Sequence, residues 1–220
     1  MRTPLHAINL HLEMVSRLSG GPKQQEQRDQ VKSAQRVLDA YVRRTSFLLD
    51  AARIHAGAFK LRTEPVALQE VVETVIELFA AKAAFQQTSI AVQSKWGIVG
   101  QWDRAAVETI LGNLLSNALK YGEGSPILIK AEGDDEGNAV ISVIDSGPGI
   151  DEKQQSLIFE KYRRAVQANS TTPGYGLGLW VARQLARLHG GSIVLDAGRP
   201  GATFVVTLPL QHALPDRSTA

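Results

Sequence analysis

An apolar run that ends in a carboxylate and two glycines stands in the second half of the chain: Val140-Ile141-Ser142-Val143-Ile144-Asp145-Ser146-Gly147-Pro148-Gly149-Ile150. The apolar residues predict a strand that delivers Asp145 at its end. Gly147 and Gly149 allow the backbone to turn and to approach a ligand closely. A carboxylate held in this way can accept a hydrogen bond from an amino group, such as the exocyclic amine of adenine. A plain Asx turn is the alternative interpretation.

A helix is predicted upstream of this strand, beginning after Asp103, a good N-cap residue, and continuing to Tyr121. At about 100° per residue, Asn113, Asn117 and Lys120 lie within roughly 60° of one another beside an apolar face. Amide oxygens are neutral hard ligands for Mg²⁺, and a lysine one turn on can neutralise phosphate oxygens. Tyr121 adds a ring that is available for stacking. A solvated polar face is the alternative.

A glycine-rich element opens another predicted helix, which runs to His189: Gly174-Tyr175-Gly176-Leu177-Gly178-Leu179. Glycines at a helix N-terminus expose backbone amides and the positive end of the helix dipole, which suit phosphates. The polar lead-in excludes a dinucleotide fingerprint, and the sequence contains no Walker-type Gly-Lys-Ser/Thr. The preceding stretch, residues 151–173, predicts a lid over the site that Phe159 anchors at one end.

The first part of the chain, residues 1–57, predicts a helical hairpin. Apolar residues recur three and four apart on both sides of Gly20-Gly21-Pro22, and the second helix, about 24–56, carries a coiled-coil seam over three heptads. A lone pair of helices covers only part of its apolar surface. We therefore expect a second copy to complete a four-helix bundle; packing on the rest of this chain is the alternative.

The remainder predicts an α+β fold: one mixed, mostly antiparallel sheet with helices on one face, over residues 58–210. A helix is expected at 68–84, and residues 211–220 read as a flexible polar tail. The predicted strands cover residues 59–62, 89–93, 98–102, 127–131, 139–145, 192–196 and 203–208.

Composition narrows the classes of function. The 220 residues include no cysteine, which excludes a thiol nucleophile and a disulfide framework. No apolar run approaches the roughly 18 residues of a membrane span. The net charge of +2 divides into nine Lys/Arg against five Asp/Glu in residues 1–57 and fifteen against seventeen beyond them. Because acids are interleaved with the basic residues and no aromatic ladder accompanies them, no nucleic-acid partner is expected.

Taken together, the motifs resemble those of bacterial sensor histidine kinases. Arg2-Thr3-Pro4-Leu5 resembles the end of the phosphoacceptor box of that family. The motifs that resemble its N, G1, F and G2 boxes and final glycine are Asn113-Leu-Leu-Ser-Asn117-Ala-Leu-Lys120-Tyr121, Asp145-Ser-Gly-Pro-Gly149-Ile150, Ile158-Phe159-Glu160-Lys161-Tyr162, Gly174-Tyr-Gly176-Leu-Gly178-Leu179 and Gly201-Ala-Thr203-Phe204.

The resemblance implies a dimerising phosphotransfer hairpin at 1–57 and an ATP-binding domain of the gyrase, Hsp90 and MutL type at 58–210. It implies that Asp145 holds adenine, that Asn113 and Asn117 hold Mg²⁺, that Lys120 contacts phosphates and that Tyr121 stacks near the base. The other residues implied to contact ATP are Gly147, Gly149, Ile150, Phe159, Tyr162, Gly174, Tyr175, Gly176, Leu177, Gly178, Leu179 and Thr203.

The same resemblance indicates the reaction. Gyrase-like relatives carry a glutamate as general base where this sequence has Asn113, and an amide cannot accept the proton of water. We therefore expect slow ATP hydrolysis and transfer of the γ-phosphoryl group to a histidine, then to an aspartate of a response regulator receiver domain. A nucleotide-binding pseudokinase or regulatory scaffold is the alternative; an ATPase of the same class is a third.

One part of the family pattern is not in the chain. The phosphoacceptor box reads His-Glu-x-Arg-Thr-Pro in that family, so its histidine falls two residues before Met1. The chain alone is therefore expected to bind ATP and dimerise but not to phosphorylate itself. Thr3 matches the residue that helps to position water for dephosphorylation of the response regulator. A cytoplasmic location is expected, with membrane contact only through segments upstream of this chain.

Overall fold

The computed structural model of the protein describes residues 38, 45, 47–95, 97–122, 124–162, 176–196 and 201–211. Contacts between residues divide the chain into two units, Met1–Phe59 and Lys60–Ala220. In the first unit, the described residues up to His55 are helical, as predicted for the end of the second helix of the hairpin. The rest of the predicted hairpin lies outside the described residues, and so does the tail beyond residue 211.

The second unit alternates strands and helices in a fixed order. The strands are β1 (Glu64–Ala67), β2 (Ile90–Ser94), β3 (Val99–Trp102), β4 (Ile127–Gly133), β5 (Asn138–Ile144), β6 (Ser192–Asp196) and β7 (Thr203–Pro209). The helices are α1 (Leu68–Phe85), α2 (Arg104–Tyr121), the single turn α3 (Glu152–Gln155) and α4 (Gly178–Leu188). Of the described helices, none is long and apolar enough to cross a bilayer.

Five strands form one mixed sheet in the order β2-β4-β5-β7-β6. The pair β2 and β4 is parallel, and the other three pairs are antiparallel. Side chains alternate along β5: Ala139, Ile141 and Val143 are buried, whereas the residues between them are only half-buried. The register continues the buried rows across β4, β7 and β6, so one face of the sheet forms the core beneath the helices.

Two details differ from the prediction. The strand expected at 59–62 is wrong: β1 begins at Glu64, where it pairs with Trp102 of β3. The pairing cannot extend back to Arg62 because β3 ends at Trp102, and the Arg62 backbone N–H donates to Asp103 Oδ2 at 2.9 Å instead. The expectation of a single sheet is also wrong, since β1 and β3 form a separate antiparallel pair.

Asp103, just before α2, and His189, just after α4, join the N-terminus of α2 to the C-terminus of α4. Asp103 caps α2 as predicted, with Oδ1 accepting from Ala106 N at 3.0 Å. The His189 ring, only 1% exposed, follows α4; its Nε2 accepts from Asp103 N at 3.0 Å and its Nδ1 lies 2.8 Å from Leu185 O. His189 therefore serves packing, and it holds the C-terminus of α4 against the N-terminus of α2.

Candidate functional site

Asp145 stands directly after β5, only 5% exposed, on the face of the sheet that the helices cover. Its Oδ1 accepts from two backbone groups, Gly147 N at 3.0 Å and Ala202 N at 3.2 Å. Within the described residues, Oδ2 has no hydrogen-bond partner. The two backbone bonds fix the orientation of the carboxylate, so its second oxygen is presented as an acceptor for a donor outside the protein.

The loop after Asp145 packs backbone against backbone. A Cβ added to Gly147 would lie 2.6 Å from Tyr121 O at the end of α2. Gly201 has φ +87°, and a Cβ there would collide with Asp145 O. Only glycine permits these approaches. The predicted role of the glycine loop is thus supported by its geometry: the loop sets the carboxylate between the end of α2 and the start of β7.

Asn113 joins α2 to the beginning of α4. Its Nδ2 donates to Thr109 O at 2.8 Å, which leaves Oδ1 pointing away from that carbonyl. A Cβ added to Gly178, the first residue of α4, would lie 2.7 Å from Asn113 Oδ1. The absence of a side chain at Gly178 therefore brings the amide oxygen next to the N-terminus of α4.

Helix α4 begins at Gly178 as predicted, and no side chain in the described part of the chain caps its N-terminus. Backbone N–H groups of the first helical turn have no partner within the helix, and the helix dipole adds partial positive charge there. Leu177 is buried, and Leu179 is half-buried. Gly174 and Tyr175 lie outside the described residues. This end of α4 has the features of an anion site.

Polar side chains continue along the same face of α2. Asn117 is half-buried one turn after Asn113. Lys120 Nζ donates to Tyr121 Oη at 2.8 Å and lies 4.6 Å from the centre of the Tyr121 ring. The pKa of Lys82 on α1 is lowered, first by burial and then by the charge of Lys120. Two ammonium groups thus repel each other here, and an anion between them would relieve that repulsion.

The amide pair fits a metal only together with a ligand. No group of three His, Cys, Asp or Glu residues that could hold a metal occurs in the described part of the chain. Asn113 and Asn117 offer two neutral oxygens on one helix face. Because Mg²⁺ takes six oxygen ligands and keeps several from water or phosphate, these amides suit an ion that arrives bound to phosphate.

Thr203 lies on the other face of the sheet from Asp145. Thr203 is directly opposite Ile144 in the register, so both side chains point to one face and Asp145 points to the other. The Thr203 Oγ1 atom is buried, and among the residues that the structure describes it has no hydrogen-bond partner. The residue that meets Asp145 is Ala202, through its backbone N–H. A backbone donor carries no signal in a sequence, which is why our prediction missed it.

Residues 150–162 follow the loop after Asp145 and precede α4 in the chain. Ile150 is half-buried, and its carbonyl accepts from Gln155 Nε2 at 3.0 Å. Phe159, the predicted anchor of the lid, is buried, and its ring meets that of Phe204 edge-on at 6.3 Å. Tyr162 is 74% exposed with φ +61°, and its N–H donates to Gly176 O at 2.9 Å. Thr3 lies outside the described residues, as do residues 163–175.

Comparison with known proteins yields one family and many relatives. The family profile described as "Histidine kinase-, DNA gyrase B-, and HSP90-like ATPase" matches residues 102–212. The chain is 34% identical over 217 residues to the sensor protein KdpD of Escherichia coli, covering 97% of this chain and 24% of that protein. It is 30% identical to the swarming motility regulation sensor protein RssA of Serratia marcescens, covering 95% of this chain and 44% of RssA. The chain thus spans less than half of each of these relatives.

A solved structure matches over nearly the same extent. Full-length ShkA in complex with AMPPNP superposes with a TM-score of 0.71 and 27% sequence identity, covering 97% of this chain and 44% of that one. The elements that carry Asp145, Asn113 and Gly178 all fall within the 102–212 match to the family profile.

Proposed function

Because this chain belongs to the histidine kinase-, DNA gyrase B- and HSP90-like ATPase family, with sensor histidine kinases among its relatives, we propose that it binds Mg-ATP as the catalytic core of a histidine kinase. The observation that carries the proposal is the orientation of Asp145. One oxygen is held by two backbone N–H groups, and the other is left for an amino group such as that of adenine.

The phosphate end of the proposed site lies between α2 and α4. The first-turn N–H groups of α4 and the ammonium of Lys120 are positive groups suited to the β and γ phosphates. Asn113 and Asn117 would hold Mg²⁺, which supplies charge neutralisation at the transferring phosphoryl group when bound. Asn113 Oδ1 is already oriented by the hydrogen bond from Nδ2 to Thr109 O.

The identity of Asn113 favours transfer over hydrolysis. A neutral amide cannot act as a general base toward water, so the chain's own residues hold the nucleotide without activating a water molecule. In the proposed reaction, a histidine nitrogen attacks the γ phosphorus, the bond to the β–γ bridging oxygen breaks, and ADP leaves. The phosphoryl group would then pass to an aspartate of a response regulator receiver domain.

The helical first unit is proposed to dimerise. Leu48 of the predicted seam is 36% exposed in the single chain, and Ala52 is exposed as well. A second copy that covers this seam would complete a four-helix bundle, on which the receiver domain would dock. We place this activity in the cytoplasm, where ATP and response regulators meet.

The proposal is tested by placing a histidine at the position that the family pattern gives to the phosphoacceptor. Two N-terminal extensions of the chain are compared, one ending in His-Glu and the other in Gln-Glu directly before Met1. With radiolabelled ATP and Mg²⁺, the first should acquire acid-labile, base-stable label, whereas the second and the unextended chain should not.

Two results would contradict the proposal. Label on the unextended chain would place the acceptor within residues 1–220, with His6 as the first candidate. ATP binding without label on the His-Glu extension would favour the nucleotide-binding scaffold instead, and rapid phosphate release without an acceptor would favour an ATPase.

A further inference from the structure

Arg183 on the second turn of α4 lies against an aromatic ring from another segment. Its guanidinium carbon is 5.1 Å from the centre of the Phe159 ring. Phe159 is only 8% exposed, so the ring is largely shielded from water. A cation over a shielded aromatic face is attracted more strongly than one in water. The contact therefore holds Phe159 to α4.

The Phe159 ring also contacts strand β7, whose preceding residue Ala202 holds Asp145. Phe159 meets Phe204 of β7 edge-on, with an interplanar angle of 89°. Phe204 pairs with Val143 in the sheet register, two residues before Asp145. Two residues before Phe204, Ala202 donates to Asp145 Oδ1. Phe159 thus supports the sheet next to the Asp145 carboxylate. We call this part of the site, where the base is proposed to bind, the base end.

A second cation–π contact joins the same two segments, but here α4 supplies the ring and the other segment supplies the cation. Lys161 Nζ lies 4.4 Å from the centre of the Trp180 ring. Trp180 and Arg183 are three residues apart, so they share one face of α4. Helix α4 thus offers an aromatic ring and a cation, and residues 159–161 offer the complementary cation and ring. We call these two contacts the clasp.

We propose that Arg183 is a positioning residue for nucleotide binding, acting through Phe159 on the base end of the site rather than by contact with the nucleotide. The inference rests on the proposed function. Arg183 lies five residues, about 7.5 Å of helix rise, beyond Gly178 at the phosphate end. Its guanidinium faces a ring instead of the helix N-terminus. Loss of the cation would release Phe159 and loosen the support beside Asp145.

The test compares Arg183→Gln with Arg183→Lys, which keeps the cation, in titration calorimetry with ATP, ADP and adenosine. Arg183→Gln should weaken all three ligands by the same factor, about fivefold, which corresponds to one contact of about 1 kcal/mol. Arg183→Lys should lose no more than about twofold. An equal loss for adenosine is the informative result, because adenosine carries no phosphate.

A double-mutant cycle then tests the route through Phe159. In a Phe159→Leu background, Arg183→Gln should cause no further loss of affinity, since the ring that it acts through is gone. Thermal unfolding of the same four proteins reports the Arg183–Phe159 coupling without nucleotide. If Phe159→Leu does not fold, the comparison of Gln with Lys at position 183 still decides.

Three outcomes would overturn the inference. Unchanged affinity in Arg183→Gln would show that the clasp does not support the site. A loss confined to ATP and ADP would show that the guanidinium contacts phosphate directly, and fully additive effects in the cycle would exclude Phe159 as the route. If the unsubstituted chain binds none of the three ligands, the proposed function fails, which is a different result from any of these.

Discussion

The two ends of the candidate site are formed by different kinds of chemical group. At the base end, a buried carboxylate is held by backbone N–H groups, and glycines pack backbone against backbone around it. At the phosphate end, half-buried amides, a lysine and a helix N-terminus face one another on α2 and α4. Backbone hydrogen bonds fix the carboxylate at the base end before a ligand arrives, whereas the phosphate end gathers amides, an ammonium group and helix N–H groups that Mg²⁺ and phosphate would bridge. Base identity should therefore depend on few atoms, and phosphate and metal affinity on many.

The largest effect is expected from Asp145→Asn. Only the oxygen of the amide can accept from Gly147 N and Ala202 N, so the amide nitrogen would face the base and oppose the donor of adenine. ATP affinity should fall about a hundredfold, the loss of a charged hydrogen bond of about 3 kcal/mol. ITP, which has a carbonyl at that position, should lose much less. Calorimetric titration with both nucleotides measures the ratio.

Asp135→Asn is the matched control for this change, since Asp135 is exposed between β4 and β5. It should leave both affinities unaltered. An Asp145→Asn protein that binds ATP within threefold of the original, or that loses ITP and ATP alike, would show that the carboxylate does not read the base.

The next largest effect should follow from Gly201→Ala. The residue has φ +87° and an added Cβ would collide with Asp145 O, so strain and displacement of the carboxylate combine. We expect a loss of more than about 2 kcal/mol in the free energy of unfolding. Gly137→Ala is the control: its φ is +81° but nothing lies within 4 Å of the added atom, so only the strain of about 1 kcal/mol should appear. Urea unfolding that gives equal losses would refute the close packing at the base end.

A smaller effect is expected from Asn117→Ala at the phosphate end. Removing one of several ligands should weaken Mg-ATP about tenfold and leave adenosine unchanged, because Mg²⁺ keeps its other oxygen ligands. Asn138→Ala, at the first residue of β5, makes the same change away from the site. Equal losses for Mg-ATP and adenosine would mean that Asn117 supports the fold rather than the metal.

The smallest effect concerns Lys82. Burial and the charge of Lys120 lower its pKa, and phosphate bound between the two ammonium groups should raise it again. Binding then takes up protons, so ATP affinity should fall as the pH rises through the titration of Lys82. Calorimetry in buffers of different ionisation enthalpy measures this uptake. It should vanish in Lys82→Met and persist in Lys130→Met; uptake that is unchanged in Lys82→Met would separate Lys82 from the site.

Most of the fold could be predicted from the sequence because the local signals for helices and strands agree with the tertiary packing. Asp103 is the N-cap residue that predicts the start of α2, and α4 begins at Gly178, where the glycine-rich element predicts a helix start. The strand at 59–62 was misplaced because its bounds depend on where the partner strand β3 ends, which local residues do not encode.

The candidate site was predictable only where side chains perform the task. Residue type and spacing were enough to identify Asp145, Asn113 and Gly178 as candidates. The structure brings Asn113 and Gly178 together. Ala202 acts through its backbone, and the facing of Thr203 depends on sheet register, so neither could be predicted. Arg183 gave no signal, because the ring it meets comes from a segment more than twenty residues earlier in the chain.

Calorimetric titration of the 220-residue chain with ATP and ADP, each with and without Mg²⁺, and with ITP, tests the central claim most directly. ATP should bind more tightly than ITP at every Mg²⁺ concentration, because the base end is fixed in advance, and Mg²⁺ should strengthen ATP more than ADP. Absence of ATP binding, or equal affinities for ATP and ITP, would contradict the account.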